Sequence, residues 1–187
     1  MFDERKSAQA SAYLLTKAGG SMYHIKLIKL LYLADRLSFE LYNYPITGDD
    51  YYSMKYGPVL SHIYDNINNY ACCSSVWAEY ISDKENHRVS LINPKNNSIE
   101  DLDELSESDI EVLDLIYRQF GTWDRWELVD YCHKPEYIPE WKNLDTGSEK
   151  IELLLLLSHL GKNRETIEAI INENEYQLKF LQTLRKG

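Results

Sequence analysis

Apolar residues recur at helical spacing along most of this chain. Residues 4–18 place Ala8, Ala12 and Leu15 on one face. Asp3 is positioned to cap that helix and Gly19-Gly20 to stop it. The pattern then predicts a second helix from Ser21 to about Leu41. On its wheel Leu27, Leu30, Leu31, Ala34, Leu37 and Leu41 form one broad arc, and Ile25, Ile28, Tyr32 and Phe39 a second. A helix apolar nearly all round belongs at the centre of a core. Lys26, in its first turn, is expected to lift its ammonium to water over its own stem. Arg36 and Glu40, four apart, are expected to pair.

Asn43 to Asp50 reads as a loop and Tyr51 to Tyr56 as a short aromatic strand. Pro58 suits the first turn of a helix running to about Tyr70, with Val59, Ile63 and Ile67 facing inward and His62 beside them. Val76–Ile81 and Arg88–Ile92 look like the arms of a hairpin. A polar stretch follows to Glu100, and Leu102 and Leu105 are expected to tack it to the body. Ser106 with Asp109 marks a helix start. Ile110, Leu113, Ile116 and Tyr117 give that helix its inner face, and Gly121 ends it. Thr122 is placed to cap the next helix, through about His133. Lys134 to Gly147 has no period and reads as a loop pinned by Tyr137 and Trp141. Ser148 is placed to cap a helix ending near Leu160, and a last helix spans about 164–185 on a stripe containing Ile167, Ile170 and Ile171.

The expected fold is mainly α, of the α+β kind. It is a compact helical domain around a central apolar helix, with a small antiparallel β element and a C-terminal helical extension. The expected division is residues 1–147 and 148–187. The length of 187 residues suits this.

Charge changes the picture. Twenty Lys/Arg against thirty Asp/Glu give −10, and nearly all of the excess lies after residue 60. Glu100 to Asp114 holds eight acids and no base. Such a balance disfavours non-specific nucleic-acid binding and docking to an anionic membrane. A protein partner with a basic or mixed-charge face fits better; the plain alternative is a solvated acidic surface. No apolar run approaches the length of a membrane span, and the charged start predicts no signal peptide. Three cysteines, two of them adjacent, are no disulfide framework, so a reducing cytoplasm is expected.

Candidate chemistry is sparse. His24, His62, His87, His133 and His159 lack metal-ligand spacing, and Cys72-Cys73 is no CxxC pair. Cys132 and His133 are adjacent on a helix and point apart, so they make no dyad. There is no GxSxG elbow and no phosphate loop. The expectation is no catalytic residue, no cofactor and no metal. Tyrosine is the outlier, at 15 residues. Tyr44, Tyr51, Tyr52, Tyr56 and Tyr64 are hard to bury together, so some are expected at an interface, unless they build a small tyrosine core.

Residues 25–65 and 105–141 carry a resemblance. Lys26, Leu27, Lys29, Leu30, Leu31, Tyr32, Ala34 and Asp35 match a K-L-x-K-L-L-Y-x-A-D helix. Tyr56, Gly57, Pro58 and Val59 match a Y/H-G-P-V turn, with Tyr64 after it. His133, Pro135 and Trp141 match a later block, in which Cys132 replaces the usual Thr or Ser and residues 137–140 look inserted. Over about residues 5–145 the chain resembles the Panacea domain family, the SocA-like antitoxin domain. The resemblance implies an antitoxin of a type II toxin–antitoxin pair that neutralises a cognate toxin by direct binding, without catalysis. It also implies that the segment after Ser148 helps choose the toxin. Lys26, Lys29, Tyr32, Asp35, Tyr52, Tyr56, Gly57, Pro58, Tyr64, His133 and Trp141 become the family-motif and candidate partner-contact residues. For Lys26, Lys29 and Asp35 two roles stay open, an internal polar network or contact with the toxin. A phage or prophage accessory protein, or a transcriptional regulator that binds operator DNA, are the alternatives on the same fold. Self-association stays open.

Overall fold

In the computed structural model the chain is described over residues 1–70, 76–92 and 101–184; in the last helix the side chains of 177, 178, 180–182 and 184 are excluded. Eight helices and five short strands are seen among the described residues. Helix α1 (Glu4–Lys17) is capped by Asp3, whose carboxylate accepts from the Lys6 amide. Ala8, Ala10 and Ala12 are buried with Ser7 and Ser11, which lets neighbouring helices approach closely. Gly19 and Gly20, both with positive φ, turn the chain into β1 (Ser21–Tyr23).

Helix α2 (His24–Tyr42) is the core's axle, with Leu27, Leu30, Leu31 and Tyr32 without solvent exposure. It packs against α1, β1, β3, α3, α5 and α6. Strands β2 (Tyr51–Met54) and β3 (Gly57–Leu60) form a hairpin, and β5 (Ser148–Lys150) pairs on the other side of β2. Short helices α3 (Ser61–Ile67) and α4 (Trp77–Tyr80) precede β4 (Arg88–Ser90), which pairs antiparallel with β1. Helices α5 (Glu107–Phe120) and α6 (Arg125–Cys132) close the body. Helices α7 (Leu153–His159) and α8 (Arg164–Leu184) end the chain. The mainly helical fold with small antiparallel sheets is as the pattern predicts.

Several local expectations are overturned, each for a visible reason. Ser21 opens a strand rather than a helix, because β4 supplies its ladder partners, with Ser21 opposite Ser90. Pro58 lies in β3 opposite Ser53, on the edge of a sheet that tolerates its missing N–H. The start of α3 is instead satisfied by Asp49, whose carboxylate accepts from the His62 and Ile63 amides. Residues 77–80 form a helical turn that buries Trp77, and of the expected hairpin the Ile81–Leu91 and Glu85–Arg88 bridges are seen. Asp124, not Thr122, caps α6. Glu127 stands three residues on and returns a bond to the Asp124 amide, which Arg125, three after Thr122, could not do. Ser148 opens β5 rather than a helix. Arg36 reaches Glu140 instead of Glu40. Leu41, placed on the inner arc, is 49% exposed. Leu102 and Leu105 are buried and Ser106 with Asp109 forms a capping box, as expected. Residues 71–75, with Cys72-Cys73, and the polar stretch 93–100 lie outside the described residues.

Candidate functional site

Four motif residues of α2 are spaced three apart: Lys26, Lys29, Tyr32 and Asp35. On a helix of 3.6 residues per turn each such step moves back by about 60°. The set therefore sweeps half the circumference, and each member meets a different segment. Lys26 Nζ donates to the carbonyls of Gly121 and Trp123, at 2.7 and 2.8 Å, just past the C-terminus of α5. Its ammonium is thus taken up by backbone, not lifted to water, and burial lowers its pKa. Lys29 Nζ, fully buried, donates to Pro58 O at 2.7 Å in β3, and burial brings its pKa down to about 8. The Tyr32 hydroxyl donates to Glu140 Oε1 at 2.7 Å, an oxygen that also accepts from Arg36 Nε at 2.8 Å. The Asp35 carboxylate accepts from the Ile46 and Thr47 amides, each at 2.9 Å, and from the Thr47 and Tyr51 hydroxyls at 2.5 and 2.9 Å. Burial raises its pKa to about 6 against those four donors. Asp35 thereby organises the loop into β2, and its ring partner Tyr51 is buried rather than exposed.

The second motif closes over Lys29. Gly57 has φ +96°, and a Cβ there would lie 3.0 Å from Lys29 Nζ and 3.3 Å from Cys132 Cβ. Glycine is needed on both counts, the backbone angle and the close approach. The His133 ring stacks on Trp141 at 4.2 Å, and Trp141 Nε1 donates to Met54 O at 3.0 Å. The post-α6 loop is thus clamped onto the β2–β3 turn by Trp141, and by buried Ile138 and Glu140. Tyr137, expected to pin the loop, is 42% exposed and stacks on Tyr131. Burial lowers the His133 pKa and raises that of the Cys132 thiol to about 11. Cys132 is therefore a protonated core thiol at neutral pH. Lys26 and Asp35 bond to separate segments, and His133 stacks on Trp141. Among the described residues no group of three or more His, Cys, Asp and Glu is arranged to hold a metal ion.

The remaining motif tyrosines lie outward. Tyr56 is 50% exposed, while Tyr52 and Tyr64 are half-buried. Tyr56 meets Trp126, 46% exposed, edge to face at 5.8 Å. Arg125 lies 3.7 Å from the Tyr23 ring centre and 5.3 Å from Trp126, and Arg88 lies 4.8 Å from Tyr23. The result is a run of Tyr, Trp and Arg contacts in which Tyr56 and Trp126 are exposed and Tyr23, Arg88 and Arg125 are half-buried. Of these only Tyr56 was singled out by sequence. The box formed by Asp124 and Glu127 would have found Arg125 and Trp126, since it fixes them in the first turn of α6 beside an acidic cap.

The acidic run is less free than its composition suggests. Asp109 is buried and pairs with Lys6, Asp114 pairs with Lys17, and Glu111 accepts from the Tyr42 hydroxyl. No helix among the described residues is long and apolar enough to cross a membrane.

The family model described as antitoxin SocA-like, Panacea domain, matches residues 27–142. Ten of the eleven motif residues lie within that span, and Lys26 directly precedes it. Comparisons with curated proteins and with solved structures return no match.

Proposed function

The chain belongs to the antitoxin SocA-like, Panacea domain family, and from that premise we propose that it is the antitoxin of a type II pair, neutralising a toxin protein by direct contact in the cytoplasm. The family match over residues 27–142 carries this reading. Neutralisation needs no chemical step by the antitoxin. Binding masks or distorts the toxin's active surface.

The internal bonding of the motif residues supports a division of labour. Lys26, Lys29, Tyr32 and Asp35 spend their polar groups on holding four segments around α2. Partner contact then falls to the exposed Tyr56 and Trp126, with the half-buried Arg125 and Tyr64 alongside. Trp, Tyr and Arg are the residue types that most often carry binding energy. The segment from Ser148 onward, beyond the matched span, is proposed to help choose the toxin. A mixed-charge toxin surface suits arginines on a chain of net charge −10.

The test is co-expression with the protein encoded by the adjacent gene. That protein alone should arrest growth, this chain should restore it, and the two should co-purify. A harmless neighbour that forms no complex defeats the proposal. In the complex, Trp126→Ala should weaken binding by about 2 kcal/mol or more while leaving the antitoxin folded.

A further inference from the structure

Beside the aromatic run the surface falls into a groove of about 550 Å³, between the start of α2, the β2–β3 turn, α3 and the strand-like arm before β4. This is within the range of cavities that seat small ligands or side chains, roughly 300–1,000 Å³. Its apolar lining is Ile25 and Met54, half-buried, Ile28 and Val59, buried, and the rings of Tyr56 and Tyr64. Its other lining residues include Lys55 and Lys84, with His24 and His87 between them, and Asp145 as the one acid. On a chain of net charge −10 this is a local reversal of sign. The charges of Lys84 and Arg125 add to burial in lowering the His24 pKa, which reports the same positive field.

A second observation comes from the groove's inner wall. Lys29 and Gly57 both line it. Lys29 Nζ lies behind Gly57, close enough that a Cβ there would stand 3.0 Å away. Lys29 Nζ has three donor positions; its hydrogen bond among the described residues is to Pro58 O, and no carboxylate pairs with it there. A buried cation without a counter-charge is costly, by several kcal/mol. The groove therefore combines an apolar lining with cations that have no acid of their own.

Resting on the antitoxin reading, we propose that this groove receives an acidic–aliphatic peptide segment of the toxin, its aliphatic side chains against the half-buried Ile25 and Met54 and its carboxylates on Lys55 and Lys84, with the buried Lys29 charge behind the wall. A peptide fits better than a nucleic acid because a chain of net charge −10 repels a phosphate backbone, whereas Ile25 and Met54 offer apolar contact to side chains. The proposal adds a local charge pattern to the partner: the toxin carries its acids on the segment that enters here.

The test uses the full-length chain. A blocked pentapeptide alternating leucine and glutamate is titrated into it, with the leucine–glutamine counterpart as control, and amide shifts are followed by NMR. The glutamate peptide should shift amides in 25–29, 54–59 and 84–87. It should bind about tenfold or more tightly than the glutamine peptide at low salt, and the advantage should vanish in the doubly reversed Lys55→Glu/Lys84→Glu chain. Equal binding of the two peptides, or shifts confined to other residues, overturns the proposal. So does tighter binding of an oligothymidylate at the same amides, which assigns the groove to nucleic acid. A wild-type dimer that the double reversal dissociates in sedimentation also overturns it, assigning the groove to a second copy. Lys55 is exposed and Lys84 half-buried at the rim, so the fold should survive reversal; thermal unfolding of the variant checks that. The adjacent gene's product separates the two levels of the reading. If it binds the wild type and the double reversal equally, the groove assignment alone fails. If it does not bind the wild type, the antitoxin reading fails, and the peptide titration still decides the chemistry of the groove.

Discussion

Helices α2 and α8 are alike in length, 19 and 21 residues, and each carries an apolar stripe in the sequence. Their places in the molecule differ sharply. In α2 eleven residues are buried, Lys29 and Asp35 among them. In α8 Ile167 and Ile170 are buried and Ile171 is half-buried, while the polar residues around them face solvent. The polar groups explain the difference better than the apolar ones. Those of α2 bond to segments up to about a hundred residues away in sequence, such as Gly121 O and Glu140. Among the described side chains of α8, Arg164 pairs with Glu168, Lys179 with Glu175, and Thr183 donates to Lys179 O, all within the helix. A helix with short-range polar partners is self-sufficient and can sit at a surface. A helix with long-range ones is fixed at the centre, and it fixes its neighbours in turn.

The sharpest way to break that contrast is Asp35→Ala. Removing the carboxylate leaves the Ile46 and Thr47 amides and the Thr47 and Tyr51 hydroxyls without their acceptor in a buried site. The expected loss is about 3–5 kcal/mol in urea unfolding. Glu168→Ala, which removes an exposed pair in α8, should cost less than about 0.5 kcal/mol. Equal losses would erase the distinction between the two helices.

Asp35 also gives the interior a pH signature. Its pKa is raised by burial to about 6, above the ordinary aspartate value, so the native state holds a proton that the unfolded state has released. The sign follows: this contribution to stability is fully present below about pH 4 and is lost as the pH rises through about 6. Its size is up to about 3 kcal/mol over that window. Asp35→Asn should remove the slope between pH 4 and 6 that belongs to this group. A variant whose stability follows the wild type's pH dependence throughout would refute the assignment. His62 adds a slope of the same sign at higher pH. Its hydrogen bond to Asp49 raises its pKa, so its contribution is lost as the pH rises past the ordinary histidine value.

Gly57→Ala comes next. The positive φ strains any side chain, and the new Cβ would press on Lys29 Nζ and Cys132. The expected cost is about 1–3 kcal/mol by denaturant unfolding. Gly161→Ala, between α7 and α8, has the same backbone strain but open space around the Cβ, so it should cost less. The difference between the two measures how tightly the β2–β3 turn is packed against α2.

The axle was legible in the sequence because apolar residues cover nearly all faces of residues 25–39. The Ser106–Asp109 box and the Gly19-Gly20 stop were legible because their chemistry is local. What was not legible depended on partners far along the chain. Ser21, Pro58 and Ser148 each have the chemistry of a helix start, yet all three enter strands because β4, or β2, lies beside them. Arg36 prefers the buried Glu140 to the exposed Glu40, a choice that spacing within one helix cannot reveal. Among the site residues, the motif showed that Lys29 and Asp35 matter but not what they bond. Arg125 and Trp126 became visible once Asp124 was seen to cap α6. The groove's positive lining is assembled from Lys29, Lys55 and Lys84, three distant stretches, so no local charge count could show it.

The smallest expected effect tests the surface end of the comparison. Ile170, 8% exposed, forms with Glu173 and Asn174 one wall of a cleft of about 320 Å³ whose other side includes Met1, Asp3 and Tyr44. Because that cleft is open, water fills the space left by truncation, and Ile170→Ala should cost about 1 kcal/mol, below the range for fully enclosed sites. Lys162→Ala, which removes a bond from an exposed ammonium to Glu40 O, should cost less still. Hydrogen exchange gives the complementary measurement. Amides of residues 28–39 should exchange only through global unfolding, whereas those of 168–176 should exchange through local opening and respond to Ile170→Ala. If the α8 amides instead slowed to the global rate and Ile170→Ala cost as much as Asp35→Ala, α8 would be part of the cooperative core. The proposal that the segment beyond Ser148 is a partner-selecting appendage would then lose its physical basis, because an element bound that tightly to the core cannot vary without unfolding it.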